Sequence, residues 1–370
     1  MEKKINIALA AGGTGGHIFP AISLAKELKR RGYEPVIISD KRYKSYEVTS
    51  KYDIKNEILP LGHLRSGLLN KIKASIQLVF SFFKAIKILK SNNIKCVIGF
   101  GGYPSFPSVK AAQFLGIKTI IHEQNSILGR ANKMLLEKVN ALAISFHHTI
   151  GFEDKYKSKI YYTGNPIRPE IQALSALPYP DFNDNSKLHI LVTGGSQGAK
   201  IFAKTIPNAI KLLPFEFKRR VRLDQQCRPE DLENVKRLYN EMDIDAELST
   251  FFSDIPNRIA SAHLIICRSG ASSLAEASAS GRPLIMVPLP NSKDNHQMVN
   301  AIAFEDIGAG IVIPQDSFTP ENLALKIENF FRLPELLTNM AKSSKASGVL
   351  DADKKLCDIV EEVIKQEKLV

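Results

Sequence analysis

The residues of this chain whose types and spacing could do chemistry begin at Gly12-Gly13-Thr14-Gly15-Gly16-His17. Four glycines let backbone N–H groups approach a ligand closely at the mouth of a helix, where the partial positive charge of the helix end favours an anion. A tight strand-to-helix turn would use one or two glycines. Four of them, with an imidazole at the helix entrance, point to a ligand and a group that moves a proton. His17 is therefore a general-base candidate, because imidazole titrates near neutrality. The loop is not a dinucleotide fingerprint: with Gly13 and Gly15 in place, G-x-G-x-x-G/A needs glycine or alanine where Ile18 stands. Asp40, closing the second apolar run, holds the place of a ribose-binding acid and keeps NAD binding as a minor alternative.

Two further glycine turns, Gly99–Ser105 and Gly194–Gly198, also follow apolar runs, and neither has the Gly-Lys-Ser/Thr of a Walker loop. Three such turns favour a phosphate-rich ligand. His122-Glu123-Gln124-Asn125 puts four polar side chains at the end of the apolar run KTII, with Glu123 the second candidate for a base. After the run LIIC, the segment Ala271-Ser272-Ser273-Leu274-Ala275-Glu276 opens a helix with small residues and hydroxyls, which suits a diphosphate, and Glu276 has the length to reach a ribose diol. Asp294-Asn295-His296-Gln297 could hold sugar hydroxyls. Asp243–Asp245 and Asp351–Asp353 have D-x-D spacing but precede strands or helices, so they read as surface carboxylates and no metal site is expected.

Short β-branched runs alternating with helix-length segments must position these groups, the pattern of βαβ units around parallel sheets. Strands are predicted at Ile5–Ala10, Pro35–Ser39, Cys96–Phe100, Lys118–His122 and Ala141–Ser145, then at Leu188–Thr193, Leu264–Cys267, Leu284–Val287 and Gly310–Ile313. Residues 170–187 between the two sets carry two prolines, Pro178 and Pro180, and a polar cluster, and read as a linker. Both halves begin alike, INIALAAGGTGGH against ILVTGGSQGAK. The expected α/β fold is two doubly wound, Rossmann-like domains facing across a cleft, at 1–165 and 166–345, with a C-terminal helix at 346–370 that could return to the first. A length of 370 residues agrees with two domains.

Composition narrows the class. Hydrophobic residues at 44% and charged residues at 24% exclude disorder and fibrous repeats, and four scattered cysteines without C-x-x-C spacing argue against a zinc site and for reduced thiols. Residues 1–165 hold 26 Lys and Arg against 11 Asp and Glu, so the whole basic excess of the +12 chain lies in the first half, which should meet something anionic. The N-terminal run passes straight into glycines, as a strand does and a signal peptide does not. The segment Gly67–Lys90 mixes twelve bulky apolar residues with Lys71, Lys73, Lys84, Lys87 and Lys90. It is too short in uncharged length to span a bilayer; it serves either as a crossover helix covered on one side by the sheet or as an amphipathic helix resting among anionic headgroups.

Gly12–His17 followed by Phe19-Pro20, Gly101-Gly102-Tyr103, His122–Asn125, Gly164-Asn165-Pro166-Ile167-Arg168, Gly194–Ala199 and Cys267–Glu276 together resemble the MurG family, peripheral-membrane N-acetylglucosaminyltransferases of bacterial peptidoglycan synthesis. The motifs keep the family's order and span roughly residues 5 to 301. The resemblance implies a GT-B fold and a UDP-GlcNAc-dependent hexosyltransferase. That enzyme moves GlcNAc, with inversion, onto the C4 hydroxyl of MurNAc in undecaprenyl-diphospho-MurNAc-pentapeptide, converting lipid I to lipid II. It places Thr14, Gly15, Gly16, Asn125, Arg168 and Ser196 in the donor site, the segment to Glu276 on the diphosphate and ribose, Phe252 beside the uracil, and His296 and Gln297 on the sugar. It also implies no cofactor beyond the donor substrate, a location on the cytoplasmic face of the inner membrane, and other cell-wall synthesis proteins as possible partners. Two departures stand out: Phe106 precedes Pro107 where the family's tyrosine loop has glycine, and Gln225-Gln226-Cys227 replaces a His/Gln-Thr/Ser-Gly run. A nucleotide-sugar epimerase of the same architecture and a basic nucleic-acid-binding protein are the alternatives. The second leaves the glycine loops unexplained, and its basic residues lie among aliphatics rather than stacking aromatics.

Overall fold

The computed structural model describes residues 4–45, 53–62, 68–183, 185–195 and 198–365. The chain divides into two compact units, Met1–Arg168 with Asp351–Val370, and Pro169–Leu350. The first carries a seven-stranded sheet of β1 (Asn6–Ala10), β2 (Glu34–Ser39), β3 (Lys55–Ile58), β4 (Ile94–Gly99), β5 (Lys118–Glu123), β6 (Ala141–Ile144) and β7 (Ile160–Tyr162). Its order is β3-β2-β1-β4-β5-β6-β7, with every pair parallel. Strand order reverses between β1 and β4, and the crevice beyond their carboxyl ends is where a doubly wound sheet binds ligands.

Alternation along the strands builds two layers of core. Ile7, Leu9, Ile37, Cys96 and Ile98 face the helices Gly15–Arg30 and Ala352–Lys365, whereas Ala8, Ala10, Val36, Ile38 and Val97 face Leu68–Ser91 and Gly102–Phe114. The C-terminal helix thus belongs to the first unit. Leu356 and Val360 are fully buried there, and Arg31 holds Asp358 at 2.6 Å.

The second unit carries β8 (Leu188–Thr193), β9 (Val221–Gln226), β10 (Asp245–Ser249), β11 (Leu264–Cys267), β12 (Leu284–Met286) and β13 (Gly310–Val312). Its order is β10-β9-β8-β11-β12-β13, again all parallel, with the reversal between β8 and β11.

Four strands were not expected from the sequence: β3, β7, β9 and β10. Three of them are sheet edges, paired on one side and partly exposed; β3 and β10 carry no continuous apolar run, and β7 is only three residues long. β9 is internal yet reads VRLDQQ, because its buried Asp224 and Gln225 find partners in His189 and Tyr239. The expected linker is also corrected. Residues 170–187 include the helix Pro169–Gln172 and the 3₁₀ turn Ala173–Ala176, Tyr179 and Phe182 pack on the second unit's core, and the Tyr179 hydroxyl donates to His263 O at 2.8 Å. Ile167 is buried against the first unit, with Ser23 Oγ donating to its carbonyl, so the boundary lies after Arg168. All four cysteines are free and buried.

Candidate active site

In the first unit, four segments converge beyond the ends of β1, β4, β5 and β7. The loop after β1 turns at Thr14, whose extended backbone caps the helix Gly15–Arg30. No acidic side chain lies in that helix's first turn, so the helix-end charge is uncompensated. Thr14 is exposed, Gly15 buried, and Gly16 and His17 half-buried. Gly102 takes φ +71°, and a Cβ there would stand 3.1 Å from His17 Nε2. The imidazole edge therefore lies directly against the glycine backbone after β4, where an added side chain would both press on it and strain the positive φ.

The buried carboxylate of Asp40 accepts from Arg42 N at 2.8 Å, Nε at 2.9 Å and Nη2 at 2.7 Å, which commits it to a neighbouring guanidinium.

His17 Nδ1 lies 3.2 Å from Gln124 Oε1. Gln124 Nε2 in turn lies 3.0 Å from Phe100 O and 2.9 Å from His122 Nδ1, and His122 Nε2 lies 3.1 Å from Gly164 O. His122 is wholly buried, and that burial holds its imidazole down to about 4, so it stays neutral at physiological pH. Glu123, 3% exposed, accepts from Asn125 N and Nδ2 through one oxygen and from Gly129 N and Asn132 Nδ2 through the other, at 2.8 to 3.1 Å. Four donors on one carboxylate shape the turn and aim the half-buried Asn125. Arg168 holds its guanidinium 5.1 Å from the Phe19 ring centroid. Phe106, the departure in the tyrosine loop, lies within the helix Gly102–Phe114 and packs on the core, while the Tyr103 hydroxyl donates to Ala74 O.

In the second unit Gly194, which follows β8, packs tightly on the backbone of Gly198 and Ala199, which a Cβ there would clash with. Ser196 lies outside the described residues. Gln226 accepts from Gly194 N and donates to Thr250 O, Gln225 accepts from Tyr239 Oη at 2.6 Å, and Cys227 is buried. Of the departing Gln-Gln-Cys run, Gln226 therefore ties the loop after β8 to Thr250, while Gln225 is held in the interior by Tyr239. After β11, the helix Ala271–Ala279 starts from an extended Gly270 with no acidic residue in its first turn. Leu274 is fully buried and its N–H donates to Gly270 O at 3.1 Å, so the backbone N–H groups that the helix start can offer are those before it, from Gly270 to Ser273. Ser272, Ser273, Ala275 and Glu276 are half-exposed, with Ser272 and Glu276 one turn apart on one face.

His296 Nδ1 lies 2.6 Å from Lys293 O, and Gln297 Oε1 accepts from Leu289 N at 2.9 Å, which turns the Gln297 amide nitrogen outward as a donor. Just before them, Asp294 and Asn295 both have left-handed backbones, φ +55° and +54°, strain of the kind that clusters at ligand clamps. Arg268 ties this region together through Val287 O, Pro288 O and Gln315 Oε1. Phe252 is buried with the Arg258 guanidinium 4.0 Å from its ring centroid, while neighbouring Phe251 is 67% exposed. Sequence reasoning grouped Gln124 with its neighbours as a site cluster without seeing that it is an interior link, and it gave Arg268 no role of its own.

Comparison with known proteins gives this geometry a context. Residues 7–144 match the glycosyltransferase family 28 N-terminal domain and residues 189–356 its C-terminal domain. The UDP-N-acetylglucosamine–N-acetylmuramyl-(pentapeptide) pyrophosphoryl-undecaprenol N-acetylglucosamine transferase of Paramagnetospirillum magneticum is 44% identical over 98% of this chain and 97% of its own length. The same enzyme of Zymomonas mobilis is 41% identical over 96% and 92%. Among solved structures, Acinetobacter baumannii MurG superposes with a TM-score of 0.77 at 27% identity, covering 97% of this chain and 99% of that one. The UDP-GlcNAc 2-epimerase of Neisseria meningitidis reaches 0.66 at 16% identity, covering 98% and 100%, a likeness of fold alone.

Proposed function

Because the chain belongs to glycosyltransferase family 28, within its MurG group, we propose that the two half-sites divide its reaction between an acceptor-activating first unit and a donor-holding second one. The enzyme transfers GlcNAc from UDP-GlcNAc to the MurNAc C4 hydroxyl of undecaprenyl-diphospho-MurNAc-pentapeptide, lipid I to lipid II. His17 Nε2 takes the proton of that hydroxyl as its oxygen attacks the anomeric carbon from the face opposite UDP. The bond from that carbon to the β-phosphate oxygen breaks, and UDP leaves with the electron pair. A positioned base contributes roughly 10²- to 10⁴-fold.

Leaving-group stabilisation falls to the helix start at Ala271-Ser272-Ser273, whose backbone N–H groups and dipole contribute about 0.3–1 kcal/mol, and up to about 2 kcal/mol where partly buried. Glu276 holds the ribose diol, while His296 and Gln297 hold sugar hydroxyls. Thr14, Gly15, Gly16, Asn125 and Arg168 serve the same substrates from the first unit, with Arg168 adding positive charge near the diphosphate. In this reading no resident metal or cofactor takes part. Glu123 organises the turn and leaves the base role to His17.

The membrane surface is the acceptor's medium, and the helix Leu68–Ser91 is built to meet it. Ala85, Ile88 and Leu89 face the core, while Ile76, Val79, Phe80 and Phe83 are 52–65% exposed at i, i+3, i+4, i+7. Lys73, Lys84, Lys87 and Lys90 are exposed on the same helix, each attracting anionic headgroups by about 1 kcal/mol. Among the described residues no helix is long and apolar enough to cross a membrane. In this reading the chain attaches peripherally through the helix Leu68–Ser91, on the cytoplasmic face. Gly67 lies outside the described residues.

The observation that carries the mechanism is the imidazole of His17 lodged against Gly102 at the point where strand order reverses. Radiolabelled UDP-GlcNAc with a polyprenyl-diphospho-muramoyl acceptor tests it: His17→Ala should lower kcat by roughly 10²-fold or more with donor affinity nearly intact. Wild-type kcat in that variant would place the base elsewhere.

A further inference from the structure

Resting on the reading of His17 as the base, we propose that Gln124 and His122 are positioning residues that lock the proton of His17 onto Nδ1 and so leave the Nε2 lone pair toward the reacting hydroxyl. Backbone carbonyls anchor the chain of hydrogen bonds at two points, and carbonyls only accept.

The first anchor is Phe100 O, 3.0 Å from the terminal amide of Gln124. The atom there must be the amide nitrogen, since the opposite orientation would press two oxygens together. One N–H of Gln124 goes to Phe100 O, and the other points at His122 Nδ1, 2.9 Å away. His122 Nδ1 is thereby an acceptor. The second anchor agrees independently: His122 Nε2 is 3.1 Å from Gly164 O, so it carries the ring's proton. A neutral His122 with its proton on Nε2 satisfies both constraints, and its complete burial keeps it neutral. With the nitrogen of Gln124 committed on one side, its oxygen faces His17 Nδ1 at 3.2 Å, and an amide oxygen accepts only. His17 Nδ1 must donate.

This arrangement runs against intrinsic preference, because a neutral histidine ring left to itself favours the proton on Nε2. In that form Nε2 could not take a proton from the acceptor. The buried amide of Gln124, 3% exposed, thus performs for His17 the service that a triad carboxylate performs for its histidine, fixing tautomer and ring orientation without adding a charge.

The experiment uses the full chain labelled with ring-¹⁵N histidine, with resonances assigned by loss in His17→Ala and recorded near pH 8.5, where imidazole is neutral. Long-range ¹H–¹⁵N correlation of the wild type should show His17 protonated at Nδ1 and bare at Nε2. Gln124→Met should move the His17 proton toward Nε2 and lower kcat at least about tenfold, with the KM for UDP-GlcNAc changed less than about twofold. A bare Nδ1 on wild-type His17 overturns the proposal even if Gln124→Met does not fold, and wild-type kcat in a folded Gln124→Met overturns it as well. If instead His17→Ala retains turnover, the base assignment falls. The tautomer measurement is independent of that result, so the two failures are told apart.

Discussion

Replacing Glu123 by glutamine changes one oxygen for an amide and nothing in size, yet the geometry makes it costly. One carboxylate oxygen accepts from Asn125 N and Nδ2, the other from Gly129 N and Asn132 Nδ2. A glutamine can present its oxygen to one pair only, and its NH₂ must then face the other two donors. Each orphaned donor costs about 1–3 kcal/mol when buried, and the pairs share one turn, so the sum is not fully additive. A net loss of about 2–4 kcal/mol in the stability of the Asn125–Asn132 turn is expected. At 1.4 kcal/mol per decade, local opening should become roughly 30- to 10³-fold more frequent. Hydrogen–deuterium exchange of peptides covering residues 119–135 reads that change directly, with peptides from the second unit as internal control. Because Asn125 is aimed by the same carboxylate, donor KM should rise as well. Wild-type exchange in this segment for Glu123→Gln would refute the claim that the carboxylate holds the turn. A selective loss of kcat with unchanged exchange would return Glu123 to the role of base.

Three other outcomes follow from the same reasoning. Phe80→Ser with Phe83→Ser, and separately Lys84→Glu with Lys87→Glu, should abolish sedimentation with anionic liposomes while circular dichroism stays native; undiminished binding would remove the helix Leu68–Ser91 from the membrane surface. Glu276→Ala should weaken UDP binding by about 1.5–3 kcal/mol, the range for a hydrogen bond to a charged group, and calorimetry showing an unchanged Kd would take it out of the donor site. Hydrogen bonding from Arg30, then Arg31, holds the carboxyl of Glu27 down to about 2. Its folded value lies below its unfolded value near 4.3, so its contribution is complete at neutral pH and is lost as pH falls from there through about 2. Glu27→Gln should flatten acid unfolding in that window, which a pH series of urea midpoints would show.

How legible the molecule was depended on whether a segment's neighbours are written beside it in the chain. Leu188–Thr193 and Leu264–Cys267 were found at their observed bounds because central strands of a parallel sheet are covered on both faces and read as unbroken apolar runs. The glycine loops and the helix start at Ala271 were legible for a related reason, since backbone approach and helix capping are local demands. Residues 170–187 misled because prolines and polar residues resemble a linker, whereas Tyr179 and Phe182 find their partners His263 and Phe331 some 80 to 150 positions away.

The same non-locality explains why the interior of the first half-site stayed hidden while its outline did not. His122-Glu123-Gln124-Asn125 stood out as four polar residues ending an apolar strand, and polar residues in that place ordinarily serve a ligand. In the fold the first three are buried, and burial converts each into a group whose hydrogen bonds must be met from inside. Phe100 and Gly164 meet them with backbone carbonyls, which have no side-chain signature, and Asn132 and Gly129 meet them from a turn whose residues look unremarkable in sequence. Such a network is rigid because the backbone groups at its ends, carbonyls that only accept and N–H groups that only donate, fix the roles of the side chains between them. A base needs that property, for a catalytic hydrogen bond misplaced by an ångström forfeits much of its effect. Substrate-facing residues are therefore recognisable from their types, while the residues that fix their protonation and aim become visible only when the donors and acceptors around them are counted in space.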